Sequence, residues 1–133
     1  MKKILLIDDD AAFLKLLKDY VAEHFPGLEI ITCNDPIRCL GQITDDLDLL
    51  LVDLEMPGLD GSKVLSYAVS KGMNRKRIII LSARDAEYLH TRFPMGSCLA
   101  VLNKYEGKQR DVLEMIFKSL QDKSGGAAPA GQS

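Results

Sequence analysis

The sequence predicts an α/β fold of the flavodoxin-like (βα)5 class, a parallel five-stranded sheet of order 2-1-3-4-5 with helices on both faces. Two observations carry this. Five short runs, apolar at nearly every position, alternate with longer stretches whose apolar residues recur with helical period. Several of those runs end directly in aspartate, serine or asparagine. Strands covered by helices on both faces read as continuous apolar runs rather than as alternating ones, and right-handed crossovers supply the covering helices.

Taken in order, Ile4-Leu5-Leu6-Ile7 is the first strand. Phe13, Leu16, Leu17, Tyr20 and Val21 follow at i, i+3, i+4, i+7 and i+8, the stripe of an amphipathic helix that Pro26-Gly27 ends. Residues 28–33 make the second strand, and Asp35-Pro36 sets a capping residue before a proline at the next helix start. Leu49-Leu50-Leu51-Val52 is the third strand, broken by Pro57-Gly58 and Asp60-Gly61 before a helix over 62–71 that buries Val64, Leu65 and Ala68. Ile78 to Leu81 is the fourth strand. A short fourth helix is expected over 86–93, limited by Pro94 and Gly96. Leu99 to Leu102 is the fifth strand. The last helix, over 108–121, sets Val112, Leu113, Ile116, Phe117 and Leu120 on one side. Residues 1–122 thus form one domain. Residues 123–133 are expected to be a flexible tail or interdomain linker, since SGGAAPAGQS holds no charge and no large apolar side chain to offset its ordering entropy.

Bulk chemistry narrows the function. Seventeen basic against 19 acidic residues leave a formal charge of −2, which offers no electrostatic case for direct nucleic-acid binding. The longest apolar runs are too short to cross a bilayer, so no membrane association is expected. Lys2-Lys3 precede only four apolar residues and then aspartates, which is no export signal. A cytoplasmic location follows as an expectation. Cys33, Cys39 and Cys98 are odd in number and lack CxxC spacing, so they read as three buried thiols. His24 and His90 read as surface residues, and Tyr20, Tyr67 and Tyr88 as packing groups.

In an open parallel sheet, ligands bind outside the carboxyl ends of the strands. Those ends carry Asp8-Asp9-Asp10, Asp53, Ser82-Ala83 and Asn103-Lys104. Several carboxylates gathered at one edge raise one another's pKa unless a cation neutralises them. Few, hard oxygen ligands favour Mg²⁺. A metal, a carboxylate nucleophile, an ammonium and a hydroxyl together form a set suited to moving a phosphoryl group. Asp10 is expected to cap the first helix rather than bind metal.

On Ile7-Asp8-Asp9-Asp10, Asp53-Leu54-Glu55-Met56-Pro57-Gly58, Asp60-Gly61, Leu81-Ser82-Ala83 and Lys104, the sequence resembles the CheY-like receiver domains of two-component response regulators, over roughly residues 2 to 121. The resemblance implies that Asp53 is the phosphoacceptor and that Asp8, Asp9, Asp53 and the Glu55 carbonyl hold Mg²⁺. It implies that Ser82 bonds the phosphoryl group and that Lys104 pairs with Asp53. It also implies a sensor histidine kinase or phosphotransfer protein as partner, switching of partner binding or homodimerisation, and a C-terminal output domain of helix-turn-helix type outside this chain. Such a chain catalyses its own phosphorylation and dephosphorylation as a switch rather than as a metabolic enzyme. Glu55 and Arg84 flank the site and are candidates for tuning the access of attacking water.

Two positions depart from the family pattern. Tyr105 stands where a proline commonly follows the lysine, which predicts a trans Lys104-Tyr105 bond because a non-proline cis bond costs about 2.5–4 kcal/mol. Val101 stands where an aromatic residue commonly swings between buried and exposed. These departures motivate an alternative, a phosphorylation-independent interaction module on the same fold. A flavin or nucleotide binder is disfavoured, because acidic residues stand where a phosphate-binding loop would be.

Overall fold

The computed structural model describes residues 1–125. Its elements alternate as expected. Strand β1 (Lys2–Ile7) leads to α1 (Ala11–His24), then β2 (Leu28–Cys33), α2 (Pro36–Leu40) and β3 (Leu49–Asp53). Two short strands follow, β4 (Glu55–Met56) and β5 (Leu59–Asp60), then α3 (Gly61–Ser70), a 3₁₀ turn (Arg75–Arg77) and β6 (Ile78–Ser82). Helix α4 (Ala86–Arg92), β7 (Ala100–Asn103) and α5 (Gly107–Gly125) complete the chain. The five long strands form a parallel sheet of order β2-β1-β3-β6-β7, which is 2-1-3-4-5 among those five. Strands β4 and β5 pair separately as an antiparallel ribbon.

The central strands explain why the apolar runs are continuous. Leu5, Ile7, Leu50, Val52, Ile78 and Ile80 face one core, with Cys39, Val64, Ala68 and Leu89 from α2, α3 and α4. Ile4, Leu6, Leu49, Leu51, Ile79 and Leu81 face the other, with Leu14 and Val21 from α1 and Leu113 and Phe117 from α5. Side chains alternate across a strand, so a sheet with two cores admits no polar position along its middle. Asp10 caps α1, accepting from the amides of Ala12 and Phe13, and Asp35 caps α2.

Four details differ from the sequence reading. In α1, Phe13, Leu17, Tyr20 and Val21 pack on the core as their spacing suggested, but Leu14 is buried in place of Leu16, which is 62 % exposed. Leu99 precedes the last strand, which starts at Ala100. Helix α5 runs through Gly125, past the expected end at Gln121, while residues 126–133 of the anticipated tail or linker lie outside the described residues. Finally, Cys33 and Cys39 are paired as a disulfide, and only Cys98 is a free thiol. The turn between β2 and α2 brings their Cα atoms to 5.8 Å, within the span a disulfide bridges, which corrects the reading of three thiols.

Helix α4 is short, as Pro94 predicts, and no peptide bond among the described residues is cis. No helix among the described residues is long and apolar enough to cross a membrane.

The second core yields a direct test. Phe117 is almost fully buried and meets Phe25 edge-on with ring centroids 5.8 Å apart. Phe117→Ala is expected to cost about 3–5 kcal/mol in urea unfolding, whereas Met115→Ala on the exposed side of the same helix should stay within about 0.5 kcal/mol.

Candidate functional site

The sheet order decides what meets at its carboxyl edge. Strand β1 lies beside β3, so the residues that follow Ile7 stand next to Asp53, the last residue of β3. Oxygens of Asp8, Asp9 and Asp53 all lie within 4.8 Å of one another. Asp8 is fully buried and Asp53 is 4 % exposed, while Asp9 faces solvent. One oxygen of Asp8 accepts the amide of Asp10 at 2.9 Å. The other lies 2.6 Å from the ammonium of Lys104. It has no aligned hydrogen bond besides that contact, so it is held by charge.

Lys104 follows β7 and is 7 % exposed. Its amide donates to the Ser82 carbonyl at 2.9 Å, and its ammonium also lies 4.4 Å from the centre of the Phe13 ring. The lysine therefore pairs with Asp8, where the resemblance implied Asp53. The loop that lacks proline gets its shape from Asn103 instead. The Asn103 side chain accepts the amides of Tyr105 and Glu106 at 2.8 and 3.1 Å and donates to the Arg84 carbonyl at 3.0 Å. This is an Asx turn, which an asparagine at a strand end readily forms.

The charge balance at this edge shows in Asp53. Burial, then the negative charge of Asp8, pushes its carboxyl up to about 7, although Lys104 and the Glu55 amide, 3.3 Å from Asp53 Oδ1, oppose the shift. Burial works against the charge of Lys104 too, but the contact with Asp8 outweighs it and leaves the ammonium above its ordinary value. Three carboxylates against one ammonium leave unneutralised negative charge. A set of hard oxygen donors this close suits a hard divalent cation.

The strand-to-helix junction after β3 is what keeps Asp53 in place. Gly61 donates its amide to the Leu54 carbonyl at 2.9 Å. A Cβ on Gly61 would stand 2.6 Å from the carbonyl oxygen of Asp53 and 2.7 Å from Leu54 Cα, so only glycine permits this approach. Asp60 caps α3 through the Ser62 amide at 2.7 Å. Its other oxygen is held by Arg92 of α4, which also reaches the Ser62 hydroxyl and the Tyr88 hydroxyl.

Ser82 ends β6 with no exposed surface, and its hydroxyl donates to the Glu55 carboxylate. The fold thus brings together Asp8, Asp9, Asp53, Glu55, Ser82 and Lys104, every residue the sequence nominated. The sequence reading had missed two features, the Glu55 carboxylate on Ser82 and the Arg92 link to Asp60. Both join residues 27 or more apart through a single side-chain contact, and no local pattern announces such a contact.

Comparison with known proteins bears on the family and the fold. Residues 4–117 match the family model of the response regulator receiver domain. The chain is 41 % identical over 121 residues to the glycerol metabolism activator of Pseudomonas putida, covering 88 % of this chain and 54 % of that protein. It is 36 % identical over 90 residues to the transcriptional regulatory protein CpxR of Escherichia coli, covering 65 % of this chain and 36 % of that protein. The chain therefore spans roughly a third to a half of the length of these relatives. Among solved structures, a Francisella response regulator receiver domain superposes with a TM-score of 0.76 at 26 % identity, covering 93 % of this chain and 99 % of that one. The Thermotoga maritima response regulator TrrA, solved in complex with Mg²⁺ and BeF, superposes with a TM-score of 0.70 at 28 % identity, covering 90 % of this chain and 99 % of that one.

Two outcomes are expected from the site's geometry. Gly61→Ala should destabilise the fold by about 1–3 kcal/mol and shift the amide signals of Asp53 and Leu54. In metal-free protein the Asp53 carboxyl should titrate near pH 7 by carbon NMR, with Asp8→Asn lowering that midpoint. Folded Asp53 keeps its proton up to about 7, whereas the unfolded chain releases it near 3.8. Between these values the folded state holds more protons, so the contribution of Asp53 to stability is full below the lower value. It falls as pH rises toward the upper one, by roughly 1.4 kcal/mol per unit. Metal-free Asp53→Asn should therefore gain more stability over the wild type at pH 8 than at pH 5, as measured by denaturant midpoints.

Proposed function

The chain belongs to the response regulator receiver domain family of two-component systems, and from that premise we propose that it accepts a phosphoryl group on Asp53 in a Mg²⁺-dependent reaction and thereby switches a partner interaction. The observation that carries this reading is the cluster of Asp8, Asp9 and Asp53 oxygens within 4.8 Å, beside an ammonium and a hydroxyl at the same strand edge.

In this reading a carboxylate oxygen of Asp53 attacks phosphorus in line. The new O–P bond forms as the N–P bond of a phosphohistidine donor breaks, and the imidazole leaves. Asp8, Asp9 and Asp53, with the main-chain carbonyl of Glu55, would hold Mg²⁺, which when bound supplies positive charge against the carboxylates and the phosphoryl oxygens. Lys104 offers its ammonium to one phosphoryl oxygen, and Ser82 offers its hydroxyl to another. Asp8 and Lys104 are thus binding and orienting groups, and Asp53 is the nucleophile.

The proposed partner is a sensor histidine kinase or a phosphotransfer protein of the cytoplasm. The transcriptional regulatory protein CpxR and the glycerol metabolism activator both extend beyond the matched region, which supports an output domain outside this chain. Homodimerisation through the switched face belongs to the same proposal. Val101 is only partly buried in the first core and has no ring to swing, which is the one observation favouring a phosphorylation-independent interaction module instead.

Incubation with Mg²⁺ and acetyl phosphate, followed by intact mass measurement, separates the two. A gain of one phosphoryl mass that requires Mg²⁺ and is lost in Asp53→Asn is expected. No gain in folded protein, together with no Mg²⁺ binding up to millimolar concentration, would leave the interaction module as the better reading.

A further inference from the structure

Ser82 has one hydroxyl proton, and the structure shows where it is committed. Its Oγ lies 2.9 Å from both Oε1 and Oε2 of Glu55. The same oxygen accepts the Arg84 amide at 3.0 Å. A serine hydroxyl offers one donor and two acceptor positions, so every further acceptor must compete with Glu55 for that single proton. Donation to a carboxylate is charge-assisted and about twice as strong as a neutral hydrogen bond. Ser82 has no exposed surface while Glu55 is exposed, so the contact is half-buried, closed on the serine side and open on the carboxylate side. The functional reading above needs the same proton on a phosphoryl oxygen. Both demands cannot be met at once.

We propose, resting on that reading, that the Glu55 carboxylate is the resident occupant of the Ser82 hydroxyl, and that a phosphoryl group on Asp53 has to displace it before the chain can switch. Glu55 is a positioning residue. It acts through Ser82 rather than on the phosphorus. Its exposed side chain has solvent to move into once displaced. The exchange also has a structural outlet. Glu55 lies on β4, directly opposite Asp60 on β5, and Asp60 is held by Arg92 of α4. The carboxylate that leaves Ser82 therefore sits on a ribbon that α4 grips, a connection that requires no aromatic ring at position 101.

The test is a titration with beryllium fluoride in the presence of Mg²⁺, on the wild type, Glu55→Ala, Glu55→Gln, Ser82→Ala and the double variant Glu55→Ala/Ser82→Ala. Amide NMR of Arg84 is recorded before any ligand is added. Loss of the Glu55 carboxylate should shift the Arg84 amide and tighten beryllium fluoride binding by about tenfold, the low end for a hydrogen bond to a charged group. Glu55→Gln, which keeps a weaker neutral acceptor, should fall between. In the Ser82→Ala background the same Glu55→Ala change should alter binding by less than about twofold, because coupled residues lose their effect when the partner is gone. An equal gain in both backgrounds would mean that Glu55 acts only by charge repulsion, and the proposal falls. So does an unchanged affinity in Glu55→Ala when the wild type binds. A wild type that neither binds beryllium fluoride nor takes phosphate from acetyl phosphate fails earlier, at the Asp53 reading itself, and overturns both.

Discussion

The contact between Asp8 and Lys104 governs much of what surrounds it. Asp8 is fully buried, and an ionised carboxylate removed from water costs several kcal/mol unless a counter-charge accompanies it. Lys104 supplies that charge from the far edge strand, at 2.6 Å. The pairing needs β1 and β7 to end at the same level of the sheet, with β3 and β6 between them. It also needs the loop after β7 to turn back over the edge, which the Asn103 side chain accomplishes through two backbone amides. One ammonium cannot balance Asp8 and Asp53 together, so burial, and after it the charge of Asp8, lets Asp53 keep its proton to about 7.

That deficit sits on a rigid base. Asp53 ends a strand whose other residues are all buried in one core or the other. Gly61 lets α3 start almost in contact with the Asp53 carbonyl, and the cap of α3 is tied to α4 through Arg92. Polar groups on such a frame are held by bonds that can be exchanged, while the apolar frame beneath them stays the same. Nothing in the packing of the two cores requires these carboxylates. A buried ionic cluster with no structural necessity adds cost to the fold, and such local conflicts are expected where function is located.

The fold was readable because a parallel sheet leaves a simple trace: apolar runs with no alternation, ended by polar residues. The same trace located Asp8, Asp53, Ser82 and Lys104, since strand ends follow directly from the runs. Side-chain direction within a helix was less legible. Leu16 and Leu14 are both leucines in α1, and only the packing of α1 against β2 and α5 decided that Leu14 turns inward. The Cys33–Cys39 pairing depended on how tightly the β2–α2 turn closes, which residue types alone do not state. Lys104 was found, but its partner was not. Which of two neighbouring aspartates an ammonium prefers is set by fractions of an ångström and by burial.

Glu55 illustrates the remaining gap most clearly. In the sequence it is one acid in a turn, two residues after a more conspicuous aspartate, read for its main-chain carbonyl and as a candidate for tuning the access of water. In the folded chain its side chain crosses to β6 and accepts the hydrogen bond of a buried serine hydroxyl. A hydroxyl can serve one acceptor at a time, so under the proposed function the phosphoryl oxygen would find Ser82 already occupied from within. A switch needs two arrangements of comparable free energy. A single proton with two mutually exclusive acceptors supplies such a pair with no large movement of the core. Val101, which lacks a ring, then ceases to be a missing part, since the choice between the two arrangements can be made at Ser82 and carried to α4 along the ribbon that holds Glu55.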